Sequence, residues 1–215
     1  MKEYTSYKQR LRPAILAEAQ RNFAMYGIRA VKMDDIARNL SISKRTVYEL
    51  YATKEDLLCE VVQTGQQEHD KRMEELVAKS DNTMDVLTGF LCMQLEDAAN
   101  INFNFYKDIM KYPKVAQVIG VYHARQRAAS AQFFAKGVEE GYFLSSIDYN
   151  VFNRIGGGVI DMLCEDDKYD DLKFSDLFYS YMYVMVRGIC TAKGVEKLDR
   201  FIEEYRKKEN QSKAD

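Results

Sequence analysis

The chain has 215 residues, of which 47% are apolar and 30% charged, a balance that excludes a disordered or fibrous protein. Two prolines and 11 glycines are too few breakers for an all-β chain of many turns. Two histidines and four scattered cysteines (Cys59, Cys92, Cys164, Cys190), with no CxxC pair, argue against a metal site, a histidine-dependent triad or a disulfide framework. No apolar run approaches the ~18 residues of a membrane span. The opening Met1-Lys2-Glu3-Tyr4-Thr5-Ser6-Tyr7 has no apolar core, so no signal peptide is expected. The reading is a cytoplasmic protein with reduced thiols. Net charge is -2, but it is split: residues 1–58 hold 11 Lys+Arg against 7 Asp+Glu, and residues 59–215 hold 20 against 26. A basic head on an acidic body points to a polyanionic partner for the head.

The first predicted element opens at Pro13, which a first helical turn tolerates. Ile15, Ala19 and Phe23 repeat every four residues through Tyr26, and Gly27 supplies a C-terminal cap. A second helix starts at Met33-Asp34-Asp35, whose acids suit the helix dipole, and buries Ile36, Ala37 and Leu40. Ser41-Ile42-Ser43 breaks it. Ser43 then caps a short helix from Lys44 to Tyr51, with Val47 and Leu50 inward. Thr53-Lys54-Glu55-Asp56 is a capping-box-like start of a long helix reaching Lys79. Further helices are expected over residues 82–99, 103–111, 113–140, 149–166 and 174–192, then one after Gly194 ending near Lys208. The acidic text at 165–171 reads as a solvated loop, and 209–215 as a frayed tail. No strand and no internal repeat is expected.

Residues 33–51 carry the functional signal. Two short helices on a tight turn bury one face and leave Lys44, Arg45, Thr46 and Tyr48 outward on the second. Insertion into a major groove is a reason for such an exposed polar helix. Arg and Lys match guanine edges or phosphates, Thr a thymine methyl or a phosphate, and Tyr a phosphate. Lys54 adds a charge beside backbone amides at the next helix start.

These segments, with Phe23 to Gly27 before them and Tyr51-Ala52-Thr53-Lys54-Glu55-Asp56-Leu57-Leu58 after, resemble the tetracycline-repressor (TetR/AcrR) family of bacterial transcriptional regulators over about residues 12–62. Four positions depart from the family pattern: Lys32 for the usual capping Thr or Ser, Ser41 for a turn Gly, Arg45 for Gly, and Leu50 for His. The resemblance implies an all-α fold. An N-terminal three-helix DNA-binding domain with a helix-turn-helix, residues 1–53, would precede a larger helical ligand-binding and dimerisation domain, residues 54–208. The implied DNA-facing set is Lys32, Met33, Ser43, Lys44, Arg45, Thr46, Tyr48, Tyr51 and Lys54. The chain would bind a near-palindromic double-stranded operator as a homodimer and be released by a small molecule, without metal or cofactor.

In the body, Gly156-Gly157-Gly158 and the broadly apolar segment 174–192 are the candidates for pairing with a second copy. Phe90, Met93, Phe103, Tyr106, Met110, Tyr122, Gln126, Phe133, Phe152 and Met162 are the candidates for lining a pocket, although plain core packing is the alternative for each. Their chemistry fits an apolar or aromatic ligand. A helical enzyme is disfavoured, because GxSxG, HExxH and a Gly-rich phosphate loop are all missing. Control of a DNA-binding protein by a partner protein instead of a small molecule is the other alternative.

Overall fold

The computed structural model describes the backbone of residues 2–165 and 172–212, and the side chains of 10–102, 104–158, 172–173 and 175–207. The order is α1 (Lys2–Tyr26), α2 (Met33–Asn39), α3 (Lys44–Leu50), α4 (Lys54–Lys79), α5 (Thr83–Asn100), α6 (Phe103–Ile109), α7 (Pro113–Glu139), α8 (Tyr149–Glu165), α9 (Phe174–Ile189) and α10 (Ala192–Ser212). Among the described residues there is no β-strand, only one isolated antiparallel bridge between Phe143 and Cys190. The fold is all-α, as its sparse prolines and glycines require.

Several boundaries differ from the sequence expectation. α1 begins at Lys2 and carries Pro13 inside it. Proline forfeits one backbone bond there, but Leu11 packs on the core below and holds the preceding turn. α9 stops at Ile189, because Cys190 turns extended to pair with Phe143 and Thr191 accepts from the Gly194 N–H at 3.2 Å to start α10. α10 runs to Ser212 rather than ending near Lys208. Most of the acidic stretch expected as a loop, from residue 166 on, and the last three residues of the tail lie outside the described residues.

The chain forms two compact units. The first comprises Met1–Asp70 and Asn100–His123. Its core gathers Ile15, Ala19, Phe23, Ile28, Ile36, Val47, Leu57, Leu58 and Val115. α6 is tied to the end of α1: the Asn102 N–H donates to the Ala24 carbonyl at 2.7 Å. The start of α7 is pinned to the start of α4, where Glu55 accepts the Lys114 backbone N–H at 2.9 Å and Asp56 takes the Lys114 ammonium at 2.6 Å. Asp108, buried on α6, accepts from Arg29 and Lys111, each at 3.0 Å.

The second unit comprises Lys71–Ala99 and Ala124–Asp215. Met84, Leu87, Leu91, Phe134, Phe143, Val186, Ile189 and Leu198 form its core. Gly194 lies where a Cβ would fall 2.3 Å from the Tyr142 carbonyl oxygen. Backbone cannot give way as a side chain can. Gly194→Ala is therefore expected to lower stability by about 1–3 kcal/mol, read as a drop in thermal midpoint; an unchanged midpoint would show that the Phe143–Cys190 bridge yields freely.

Candidate nucleic-acid interface

α2 and α3 cross where Ala37 is small enough to admit the second helix, over Ile36 and Val47, all fully buried. The turn between them is a Schellman motif. Ser41 donates to the Arg38 carbonyl and Ile42 to the Ala37 carbonyl, each at 3.0 Å. Ser41 takes φ +54, the left-handed conformation that glycine adopts without a Cβ penalty. The Lys32 departure is compensated by Asp35, whose carboxylate accepts the Lys32 backbone N–H at 3.1 Å and the Arg38 guanidinium at 2.6 Å. Those contacts, the backbone one foremost, hold Asp35 below the usual carboxylate range.

Ser43 caps α3 by accepting the Thr46 N–H at 3.1 Å, and the two hydroxyls share a further bond at 2.8 Å. Val47 fastens the inner side of α3, and Leu50 is half-buried beside it. The outer face then consists of Lys44, Arg45, Tyr48 and Glu49, all exposed. Two acids stand against its two cations. Asp34 on α2 takes the Lys44 ammonium at 2.6 Å and raises its pKa; Glu49 accepts from Arg45 Nε at 2.9 Å. Neither Glu49 nor Asp34 was among the sequence candidates, though an acid four residues after Arg45 is a legible signal.

Of the expected DNA-facing set, Lys44, Arg45 and Tyr48 share this face, with Ser43 and Thr46 engaged in the cap at its start. Two members do not belong on a surface. Met33 is 5% exposed and Tyr51 3%, because both plug the core of the first unit. Burial pushes the Tyr51 phenol up to about 12, and the Arg12 guanidinium lies 5.6 Å from its ring centre. Lys54 is half-buried with its ammonium 5.9 Å from the Phe23 ring centre. Burial pulls its pKa down, and the charge of Asp108 works against that.

A short, rigidly capped helix with a basic outer face, fixed across a second by a tight turn, is a helix-turn-helix reader. Residues 15–61 match the bacterial regulatory proteins of the tetR family. These residues form a tetR-type DNA-binding domain. Solved structures with the same fold include a TetR-family regulator from Agrobacterium tumefaciens, 15% identical, with TM-score 0.70 over 86% of this chain and 100% of that one. A transcriptional regulator from Saccharomonospora viridis in complex with choline is 18% identical, with TM-score 0.68 over 85% and 99%. The ketosteroid regulator KstR2 of Mycobacterium tuberculosis is 21% identical, with TM-score 0.57 over 84% and 95%. No curated protein sequence matches the chain.

The candidate pocket residues are distributed over both units. Tyr106, Met110 and Tyr122 belong to the first, and Phe90, Met93, Gln126, Phe133 and Phe152 to the second. The side chains of Phe103 and Met162 lie outside the described ones. Tyr122 donates to Asp70 at 2.8 Å and sits 3.0 Å from His69 Nδ1; Met110 is exposed. Phe133 and Phe152 each pack on the Phe134 ring, at 5.3 and 5.7 Å, in a cluster with Phe143 and Tyr149. Both rings are partly buried against the core of the second unit. A groove of about 160 Å³ in the second unit is lined by Met84, Asp85, Thr88, Lys197, Arg200, Phe201 and Glu204, none of them a candidate. Among the described residues no group of His, Cys, Asp and Glu is arranged to hold a metal, and no helix is long and apolar enough to cross a membrane.

Proposed function

We propose that this regulator is a cytoplasmic homodimeric repressor that binds a near-palindromic operator through α3 and is released by a small, largely apolar or aromatic molecule. The observation that carries the DNA reading is the outer face of α3, where Lys44, Arg45 and Tyr48 are exposed on a helix whose opposite side is locked into a core. Lys54 supports it with a cation at the start of α4, the positive end of that helix's dipole. Pairing of two copies is supported by α8 and α9. Val151, Ile155 and Val184 are at least half exposed, and Gly157 and Gly158 have no neighbour within 4 Å of a would-be Cβ. Water is a poor partner for that combination, and a second copy of the same helices is a good one. Two heads must then reach successive major grooves, ~34–36 Å apart or a multiple of it. An effector acts only if it binds one head spacing better than another. Control by a partner protein is the second reading, supported by the packing of the Phe133 and Phe152 rings on Phe134.

The test is selection of bound fragments from the source genome by the purified full chain at about physiological salt, where nonspecific phosphate binding is weak. Enrichment of a near-palindrome is expected, with sedimentation giving a dimer. A folded dimer that enriches nothing would overturn the reading. Lys54→Ala is expected to weaken all DNA sequences alike and to lower the slope of log K against log salt by about one. An unchanged slope would remove Lys54 from the phosphate contacts.

A further inference from the structure

We infer that Glu49 is a positioning residue for base readout, holding the Arg45 guanidinium so that it selects guanine at one operator position. This rests on the proposal above that the outer face of α3 enters a major groove.

Glu49 is otherwise hard to account for. It is a carboxylate on the face that is to meet a polyanion, so by itself it weakens every DNA contact. It stands in the last turn of α3, the negative end of the helix dipole, where acids are disfavoured. Its partner precedes it by four residues, the less favourable order for an ion pair along a helix. The Arg45 side chain is 83% exposed and that of Glu49 28%, so the acid is anchored on the helix while the arginine reaches into solvent, where an ion pair adds little to stability. General DNA affinity therefore does not explain the residue.

The geometry of the pair points to orientation. Arg45 donates from Nε to Glu49 Oε1 at 2.9 Å. A carboxylate fastened at Nε restrains the last torsions of a long side chain and sets the plane of the guanidinium. The forked Nη donors then project from that plane, in the spacing that fits guanine O6 and N7. An arginine arranged beforehand loses less freedom on binding and discriminates better than one that sweeps the groove. Lys44 is set by Asp34 from α2, so each cation on this face is held by an acid of the same domain.

The test compares the full-length wild type with E49A, E49Q, R45A and R45A/E49A on operator duplexes varied one base pair at a time. R45A is expected to lose guanine preference at one position by about tenfold to a hundredfold. E49A is expected to relax the same position by about threefold to tenfold, while binding to unrelated DNA tightens. E49Q keeps an acceptor oxygen and should fall between. The double variant should be no worse at that position than R45A alone, because the acid acts only through the arginine. Relaxation at a different position, with cytosine losing its advantage there, would show Glu49 touching a base itself and overturn the inference. So would an E49A profile identical to wild type. If wild type selects no sequence at all, the DNA-reading proposal beneath it falls first.

Discussion

Phe23→Ala is expected to cost about 3–5 kcal/mol and to abolish operator binding at temperatures where the wild type binds. The Phe23 ring is fully buried near the end of α1, in the core that also contains Ile36 of α2, Val47 of α3 and Leu57 and Leu58 of α4. With Phe143 it is the largest of the fully buried side chains among the described residues. Truncating it removes apolar contact from several helices at once and leaves a cavity they cannot close without moving the α2–α3 crossing. A loss of that size is a large part of the ~5–15 kcal/mol that stabilises a domain. The thermal midpoint should fall by about 10 °C or more. Phe23→Leu, which fills most of the space, should cost less than half as much. A Phe23→Ala protein with wild-type midpoint and operator affinity would mean that the ring does not organise the head.

Replacing Glu18 is the second large effect, and it depends on pH. Glu18 is buried on α1, with its Oε1 accepting from Asn22 Nδ2 at 2.7 Å and from Asn39 Nδ2 at 2.8 Å, and with Arg21 ion-paired to the other oxygen. Asn39 ends α2, so this carboxylate ties α1 to the lead-in of the α2–α3 turn. Burial opposes its ionisation, but the bonds from Asn39 and Asn22 and the charge of Arg21 outweigh that and hold its pKa below the usual value. A lowered folded-state pKa stabilises the head above the unfolded glutamate pKa of about 4.3. That contribution is lost as pH falls through the unfolded value to the lower folded one. Glu18→Leu takes the carboxylate acceptor from the buried Asn22 amide and from the Asn39 amide that reaches over from α2, and should cost about 1–3 kcal/mol at pH 7. Glu18→Gln retains one acceptor oxygen, should cost less, and should lose less stability than wild type between pH 7 and pH 4. Urea midpoints at the two pH values decide it. An equal loss in both proteins would show that another group carries the acid sensitivity.

The helix-turn-helix was legible because its determinants are local. Ser43 caps the helix that follows it, the Thr53–Asp56 box closes within four residues, with bonds of 2.7–3.1 Å, and the Ile36–Ala37–Val47 spacing needs only helical periodicity. The outward position of Lys44, Arg45 and Tyr48 follows once Val47 is known to face in. Periodicity could not say how far α1 extends past Pro13, since Leu11 finds its partners in the core and not along the chain. Nor could it say that α9 ends at Ile189, because the bridge that stops it pairs Cys190 with Phe143, 47 positions earlier.

Long-range packing also separated residues that look alike in the sequence. Tyr48 and Tyr51 are three positions apart, yet Tyr48 is 48% exposed and Tyr51 fills the core beside Arg12 and Glu60. The aromatic residues of the body carry no mark that distinguishes a pocket wall from a core. Phe133 and Phe152 find their ring partners only because Phe134, Phe143 and Tyr149 come together from α7, α8 and the turn between them. By itself, then, the sequence determined the all-helical fold and the reading helix, whose caps, turn and periodic face are interactions between near neighbours. Only the tertiary structure decided which aromatic rings and charges are buried, paired or presented, because burial is a property of what the rest of the chain brings alongside.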